Sequence, residues 1–131
     1  MAGESILVVD DNVANLKLMR LLLSHQGYDV HVCGGAVEAL AALETLRPHV
    51  ILMDLQMPGI DGLELTRRLK ADPATRDITI VAVTAYAMKG DEAQALAAGC
   101  DGYVTKPIDT ETFPSVLARY LDGGARRLQG R

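Results

Sequence analysis

Four short apolar runs in this sequence each end on a residue that can do chemistry. Ser5 to Val9 leads into Asp10 and Asp11, and Val50 to Met53 into Asp54. Thr79 to Val83 leads into Thr84, and Gly102 to Thr105 into Lys106. If the runs are strands of one open parallel sheet, three carboxylates, a hydroxyl and an ammonium converge at its carboxyl edge, where such sheets bind ligands. Two carboxylates about 4 Å apart repel by roughly 4 kcal/mol at an effective dielectric of 20. A cluster of three therefore persists where a cation sits. A hard divalent ion with oxygen ligands fits, and Mg²⁺ takes one or two carboxylates and fills its shell with waters and phosphate oxygens. Solvation alone accounts for Asp10 or Asp54 taken singly. It does not account for acids on two strands facing a lysine on a third.

The elements that must position these residues alternate along the chain. Five runs of strand length, the four above and Asp29 to Cys33, lack strict polar alternation, which predicts strands buried on both faces of a parallel sheet. Between them lie helical patterns: Val13 to about Gln26 behind the cap Asn12, Ala36 to Leu46, Asp61 or Gly62 to Lys70, Asp91 to Ala98, and about Thr112 to Leu121. Strict βα alternation implies an α/β fold, a doubly wound five-stranded sheet with five helices and right-handed crossovers. For the last helix, Asp109 as cap would place Pro114 in the second turn, where its ring and missing N–H oppose the helix. Thr112 as cap puts Phe113 and Pro114 at the first two helical positions, so a late start is expected. Residues 1–122 read as one domain, and 123–131 as a disordered tail or the start of a linker.

Composition narrows the function classes. A net charge of −4 over 131 residues argues against direct nucleic-acid binding, which needs a basic face. No secretory signal and no membrane-length apolar stretch are present, which points to the cytoplasm. Cys33 and Cys100 form neither a disulfide framework nor a CxxC motif, and are expected to be free, mostly buried thiols. His25, His31 and His49 lie on different elements and are expected at the surface or a strand edge. Met53, Met57 and Met88 read as core or loop filler. Gly34-Gly35 is a turn, and the absence of GxGxxG after the first strand argues against a dinucleotide site.

Asp10-Asp11, the run Met53-Asp54-Leu55-Gln56-Met57-Pro58-Gly59 with Asp61-Gly62, Thr84-Ala85, and Lys106-Pro107 after Tyr103 together resemble the receiver domain of two-component response regulators. The resemblance spans residues 5 to 121, and Thr84 to Glu92 is most similar to single-domain DivK-type cell-cycle regulators. It implies the flavodoxin-like, CheY-like strand order 2-1-3-4-5. It also implies a switch phosphorylated on Asp54 from a phosphohistidine, rather than an enzyme with its own substrate. Asp11, Asp54 and the Gln56 carbonyl would ligate Mg²⁺, with Asp10 acting mainly through a water. Lys106 would pair with Asp54 and then with a phosphoryl oxygen, and Thr84 would donate to another. Lys106-Pro107 would be a cis peptide. Gln56 and Tyr86 would flank the path of attacking water, making dephosphorylation slow.

The partners implied are a histidine kinase or histidine-phosphotransfer protein and a downstream protein target, with no direct nucleic-acid or membrane contact. The chain carries no output domain, so its output is expected through protein contacts. Helical spacing directs Leu18, Met19 and Leu22 to the sheet and leaves Val13, Leu16, Arg20 and Leu23 as a second stripe, expected to dock the phosphodonor. Thr84 and Tyr103 are the expected switch, read out on the face of the fourth helix, fifth strand and fifth helix. Two competing readings fare worse. A haloacid dehalogenase-type phosphatase needs D-x-D, which neither Asp54-Leu55-Gln56 nor Asp10-Asp11-Asn12 supplies. A degenerate, scaffolding receiver normally lacks one of the five reactive residues, and all five are present.

Overall fold

The computed structural model describes residues 3–55, 61–85, 91–106 and 108–130, with side chains throughout except at 91 and 122–130. Five strands alternate with five helices: β1 (Ser5–Val9), α1 (Val13–His25), β2 (Asp29–Cys33), α2 (Ala36–Ala42), β3 (Val50–Asp54), α3 (Gly62–Ala71), β4 (Thr79–Thr84), α4 (Asp91–Ala98), β5 (Gly102–Thr105) and α5 (Phe113–Gly130). All strand pairs are parallel, in the order β2-β1-β3-β4-β5.

Continuous apolar strands need cover on both faces, and the helices supply it. Leu7, Val9, Ile51, Met53, Ile80 and Ala82 point into a core closed by Ala39, Leu65, Leu69 and Ala95, from α2, α3 and α4. The alternate positions Ile6, Val8, Val50, Leu52, Val81 and Val83 meet Met19 and Leu23 of α1 and Phe113 and Leu117 of α5. Each fully buried Leu or Ile contributes about 1.5–3 kcal/mol relative to exposure.

At the end of the sheet away from the strands' carboxyl ends, Lys70 clamps three segments. Its Nζ donates to the Arg76 carbonyl (3.1 Å), the Ile78 carbonyl (2.8 Å) and Asp101 Oδ2 (2.9 Å), which also accepts the Ile80 N–H at 2.8 Å. Gly99 closes α4 at φ +114°, while the Cys100 N–H reaches back to the Ala95 carbonyl. A side chain there would also press on the Lys70 stem.

Helix boundaries differ from the sequence expectation at the end of α2 and at the end of α5. Regular α2 ends at Ala42 rather than Leu46, because the chain tightens into i→i−3 bonds at Glu44 and Thr45. The Arg47 guanidinium then takes the Leu43 and Leu46 carbonyls. At the start of α5, 110–112 form a turn capped by Asp109 Oδ1, which accepts from the Glu111 and Thr112 N–H groups, and helix begins at Phe113 as the proline argument requires. At its far end α5 continues to Gly130, past Leu121 and through the segment read as a tail.

The face assignment of α1 also needs correction. Leu23 is fully buried and Leu16 half-buried against the β-sheet, so neither belongs to an exposed stripe. Leu18, expected to face the sheet, is 43% exposed, and Leu21 is 72% exposed beside Val13 at 63%. Met19 and Leu22 do pack inward, and Arg20 is exposed.

Candidate functional site

Strand register brings the reactive residues together. Val9 lies opposite Met53, so Asp10 and Asp54 leave the sheet as neighbours on its two central strands. Asp54 in turn pairs with Val83, and Thr84 with Thr105, which brings the ends of β4 and β5 to the same edge. The Lys106 N–H donates to the Thr84 carbonyl at 2.7 Å, tying the residue that carries the ammonium to the residue that carries the hydroxyl. Thr84 is itself buried.

Carboxylate oxygens of Asp10, Asp11 and Asp54 lie within 4.8 Å of one another. Asp10 and Asp54 are each only 5% exposed, whereas Asp11 faces solvent. Lys106 Nζ stands 3.0 Å from Asp10 Oδ2 and 3.7 Å from Asp54 Oδ2. The resemblance led to a Lys106–Asp54 pair. That pair is present at the longer distance, and the hydrogen-bonded partner is Asp10. Three carboxylates converge here beside the Lys106 ammonium, and this all-oxygen donor set fits a hard divalent cation such as Mg²⁺.

Asp10 is held from α1 as well. Its Oδ1 accepts the Asn12 N–H at 2.9 Å, and its Oδ2 accepts from Asn15 Nδ2 at 3.2 Å. Asn12 caps α1 as expected, its Oδ1 accepting the Asn15 N–H. The Asn15 contact was not found from sequence, since a single amide on a helix carries no signal of its own.

Behind Asp54 the chain passes very close to α3. Asp61 caps that helix by accepting the Glu64 N–H at 2.9 Å. A Cβ on Gly62, the first helical residue, would overlap the Asp54 carbonyl oxygen and come within 2.8 Å of Leu55 Cα. Only glycine lets α3 start this close to the acid-bearing strand. A cavity of about 290 Å³ adjoins the site, lined by Asp10, Asp54 and Lys106 at one end and by Leu18, Met19 and Ile108 among its apolar walls.

Other expected residues fall in several places. Gln56, Tyr86 and Pro107, and with Pro107 the expected cis peptide, lie outside the described residues. Tyr103 is half-buried, packed against the core layer of α2, α3 and α4. His25 and His49 are exposed, and His31 pairs with Asp29 on the outer strand at 3.2 Å. Cys100 is buried and Cys33 half-buried, so Cys33 is more open than expected. Burial pushes both thiols up, with Glu38 adding to the effect at Cys33.

A family model described as the response regulator receiver domain matches residues 6–118. The polar-differentiation response regulator DivK of Brucella anthropi is 42% identical over 118 residues, 90% of this chain and 96% of that protein. The receiver domain of the sensor histidine kinase PA1611 from Pseudomonas aeruginosa, solved with a magnesium ion coordinated in its active site cleft, superposes with a TM-score of 0.84 at 34% identity, covering 92% of this chain and 99% of that one. A CheY-like receiver from Methanospirillum hungatei gives 0.87 at 28% identity, over 96% and 99% of the two chains. With the sheet order, the acid cluster and Lys106 arranged as described, this chain belongs to the response regulator receiver family of two-component signalling.

Proposed function

We propose that Asp54 is the residue that accepts the phosphoryl group, with Mg²⁺ held by Asp11 and Asp54, the Gln56 carbonyl completing the protein ligands and Asp10 acting through a water. The observation that carries this reading is the buried Asp54 carboxylate at the end of the central strand, within 4.8 Å of the other two acids and within ion-pair reach of Lys106. The magnesium in the cleft of the PA1611 receiver supports the choice of metal. Mg²⁺ would neutralise charge on the transferring group.

An Asp54 oxygen attacks phosphorus and the P–N bond of the phosphohistidine breaks; its electron pair returns to the ring, which carries a proton on its other nitrogen and therefore leaves as neutral imidazole. Asp54 becomes an acyl phosphate. Lys106 then moves its charge onto a phosphoryl oxygen, exchanging the 3.7 Å contact with Asp54 for a charge-assisted hydrogen bond. The Thr84 hydroxyl donates to another phosphoryl oxygen. Water attack at phosphorus later releases inorganic phosphate and restores Asp54, and family resemblance assigns Gln56 and Tyr86 to the path of that water. The chain has no separate substrate in this scheme and acts as a switch.

The phosphodonor, a histidine kinase or histidine-phosphotransfer protein, docks on α1. Leu18 and Leu21 take the places that Leu16 and Leu23 held in the sequence reading, with Val13 and Arg20 retained. Leu18 also walls the cavity that ends at Asp54, so the apolar patch is continuous with the reactive carboxylate. Output runs through Thr84 and Tyr103 to the α4-β5-α5 face, where Leu96 is exposed and a downstream protein target binds. No helix among the described residues is long and apolar enough to cross a membrane, in keeping with a cytoplasmic site of action.

Intact-mass measurement after incubation with acetyl phosphate tests the reading. One phosphoryl mass appears with Mg²⁺ and none without it, and Asp54→Asn abolishes the gain. Uptake by that variant, or uptake in the absence of divalent metal, would refute the assignment. Leu18→Lys with Leu21→Lys slows transfer from a phosphohistidine protein and spares acetyl phosphate uptake; equal loss from both donors contradicts the docking surface.

A further inference from the structure

We infer that Asn15 is a positioning residue for metal binding: through Asp10 it holds the acid cluster in the arrangement that takes Mg²⁺. The inference rests on the Mg²⁺ reading given above. Three hydrogen bonds close a ring through the first turn of α1. The Asn12 N–H reaches Asp10 Oδ1 at 2.9 Å, Asn12 Oδ1 accepts the Asn15 N–H at 3.1 Å, and Asn15 Nδ2 reaches Asp10 Oδ2 at 3.2 Å. An amide beside a carboxylate must present its nitrogen, since the reverse orientation would oppose two oxygens. The helix cap and the acid are thereby one unit, and the Asp10 carboxylate plane is set by α1 rather than by the sheet alone.

The oxygen that Asn15 holds is the same one that receives Lys106 Nζ at 3.0 Å. The move of Lys106 onto a phosphoryl oxygen, which exchanges its 3.7 Å contact with Asp54, also draws the ammonium away from Asp10 Oδ2. A buried carboxylate that lost its only side-chain donor would be free to turn away from its neighbours, and desolvation makes that loss costly. Asn15 is neutral and anchored on the helix, so it remains on Oδ2 whatever Lys106 does. It keeps Asp10 directed at Asp11 and Asp54 in both states. Partners that orient a metal's direct ligands change affinity by about 10–100-fold when removed, and Asn15, which acts through a carboxylate that meets the metal by way of a water, belongs at the low end of that range.

Calorimetric Mg²⁺ titration of the full chain tests this with two variants of opposite volume. Asn15→Ala enlarges the adjoining cavity and Asn15→Leu fills it, yet both leave the backbone N–H that the Asn12 cap uses. Both should bind Mg²⁺ about 10-fold more weakly. Acetyl phosphate uptake should return to the unmodified rate once Mg²⁺ is saturating, because Asn15 acts through Asp10 and not on the transfer step. Mg²⁺ affinity unchanged in both variants, affinity moved in opposite directions by the two, or uptake still slow at saturating Mg²⁺ each overturns the assignment. Failure of the unmodified chain to bind Mg²⁺ would instead overturn the metal reading on which it rests.

Discussion

Replacing Gly62 with alanine should damage both stability and metal binding through a single methyl group. Its Cβ would overlap the Asp54 carbonyl oxygen and lie 2.8 Å from Leu55 Cα. Both are backbone atoms of the acid-bearing strand and the residue after it, so no flexible side chain can swing away. Overpacking of a buried contact costs about 1–3 kcal/mol. Alanine's better helix propensity returns at most about 1 kcal/mol, and less at a first helical position. A net loss of about 2 kcal/mol lowers the melting temperature of a domain this size by about 6–10 °C. Because the strain falls on the Asp54 backbone, Mg²⁺ affinity should fall too, by about 10-fold. The control is Gly35→Ala at the N-cap of α2, where the added carbon would meet Glu38 Oε1 at an ordinary 3.6 Å; the poorer cap costs at most about 1 kcal/mol, and Mg²⁺ affinity should not move. Thermal melts and Mg²⁺ titrations of the two variants provide the comparison. Gly62→Ala melting with the unmodified chain, or losing stability while keeping its Mg²⁺ affinity, would refute the close-approach argument.

Lys70→Met removes the ammonium shared by half-buried Asp101 and two backbone carbonyls, and should cost about 1–3 kcal/mol in denaturant unfolding. Its Mg²⁺ affinity should hold, since the clamp lies at the opposite end of the sheet. Because the folded thiols keep their protons to higher pH than unfolded ones, stability should fall as pH rises through and above the ordinary thiol value of 9.0. A stability–pH profile of a Cys33→Ala, Cys100→Ala double variant should lack that component. Tyr86→Ala and Tyr86→Glu should each speed loss of the phosphoryl group, and unchanged decay in both would remove Tyr86 from the path of attacking water.

The parallel sheet was legible because its strands are continuous apolar runs that end on charged or hydroxylic residues, whereas the order 2-1-3-4-5 came with the family resemblance, since βα alternation also permits other doubly wound orders. The start of α5 was legible too, since Pro114 tolerates only the first turn. The faces of α1 were not. Leu16, Leu18, Leu21, Leu22 and Leu23 surround the helix, so periodicity alone could not decide that Leu23 is core and Leu18 and Leu21 are surface. The packing of Met19 and Leu23 into the core layer over β1 and β2 decides it. The acid cluster and Lys106 could be read as strand-end residues, but which acid the ammonium prefers depends on sub-ångström placement. Asn15 was invisible for a related reason: its role exists only because the first turn of α1 folds back over Asp10.

Reductive trapping with borohydride tests the central claim most directly. Borohydride converts an acyl phosphate into an alcohol and leaves free carboxylates untouched. After Mg²⁺-dependent uptake from a phosphohistidine donor, peptide mass mapping should find the reduced residue at Asp54 alone. Reduction at Asp10 or Asp11, or equal modification in the absence of Mg²⁺, would contradict the account.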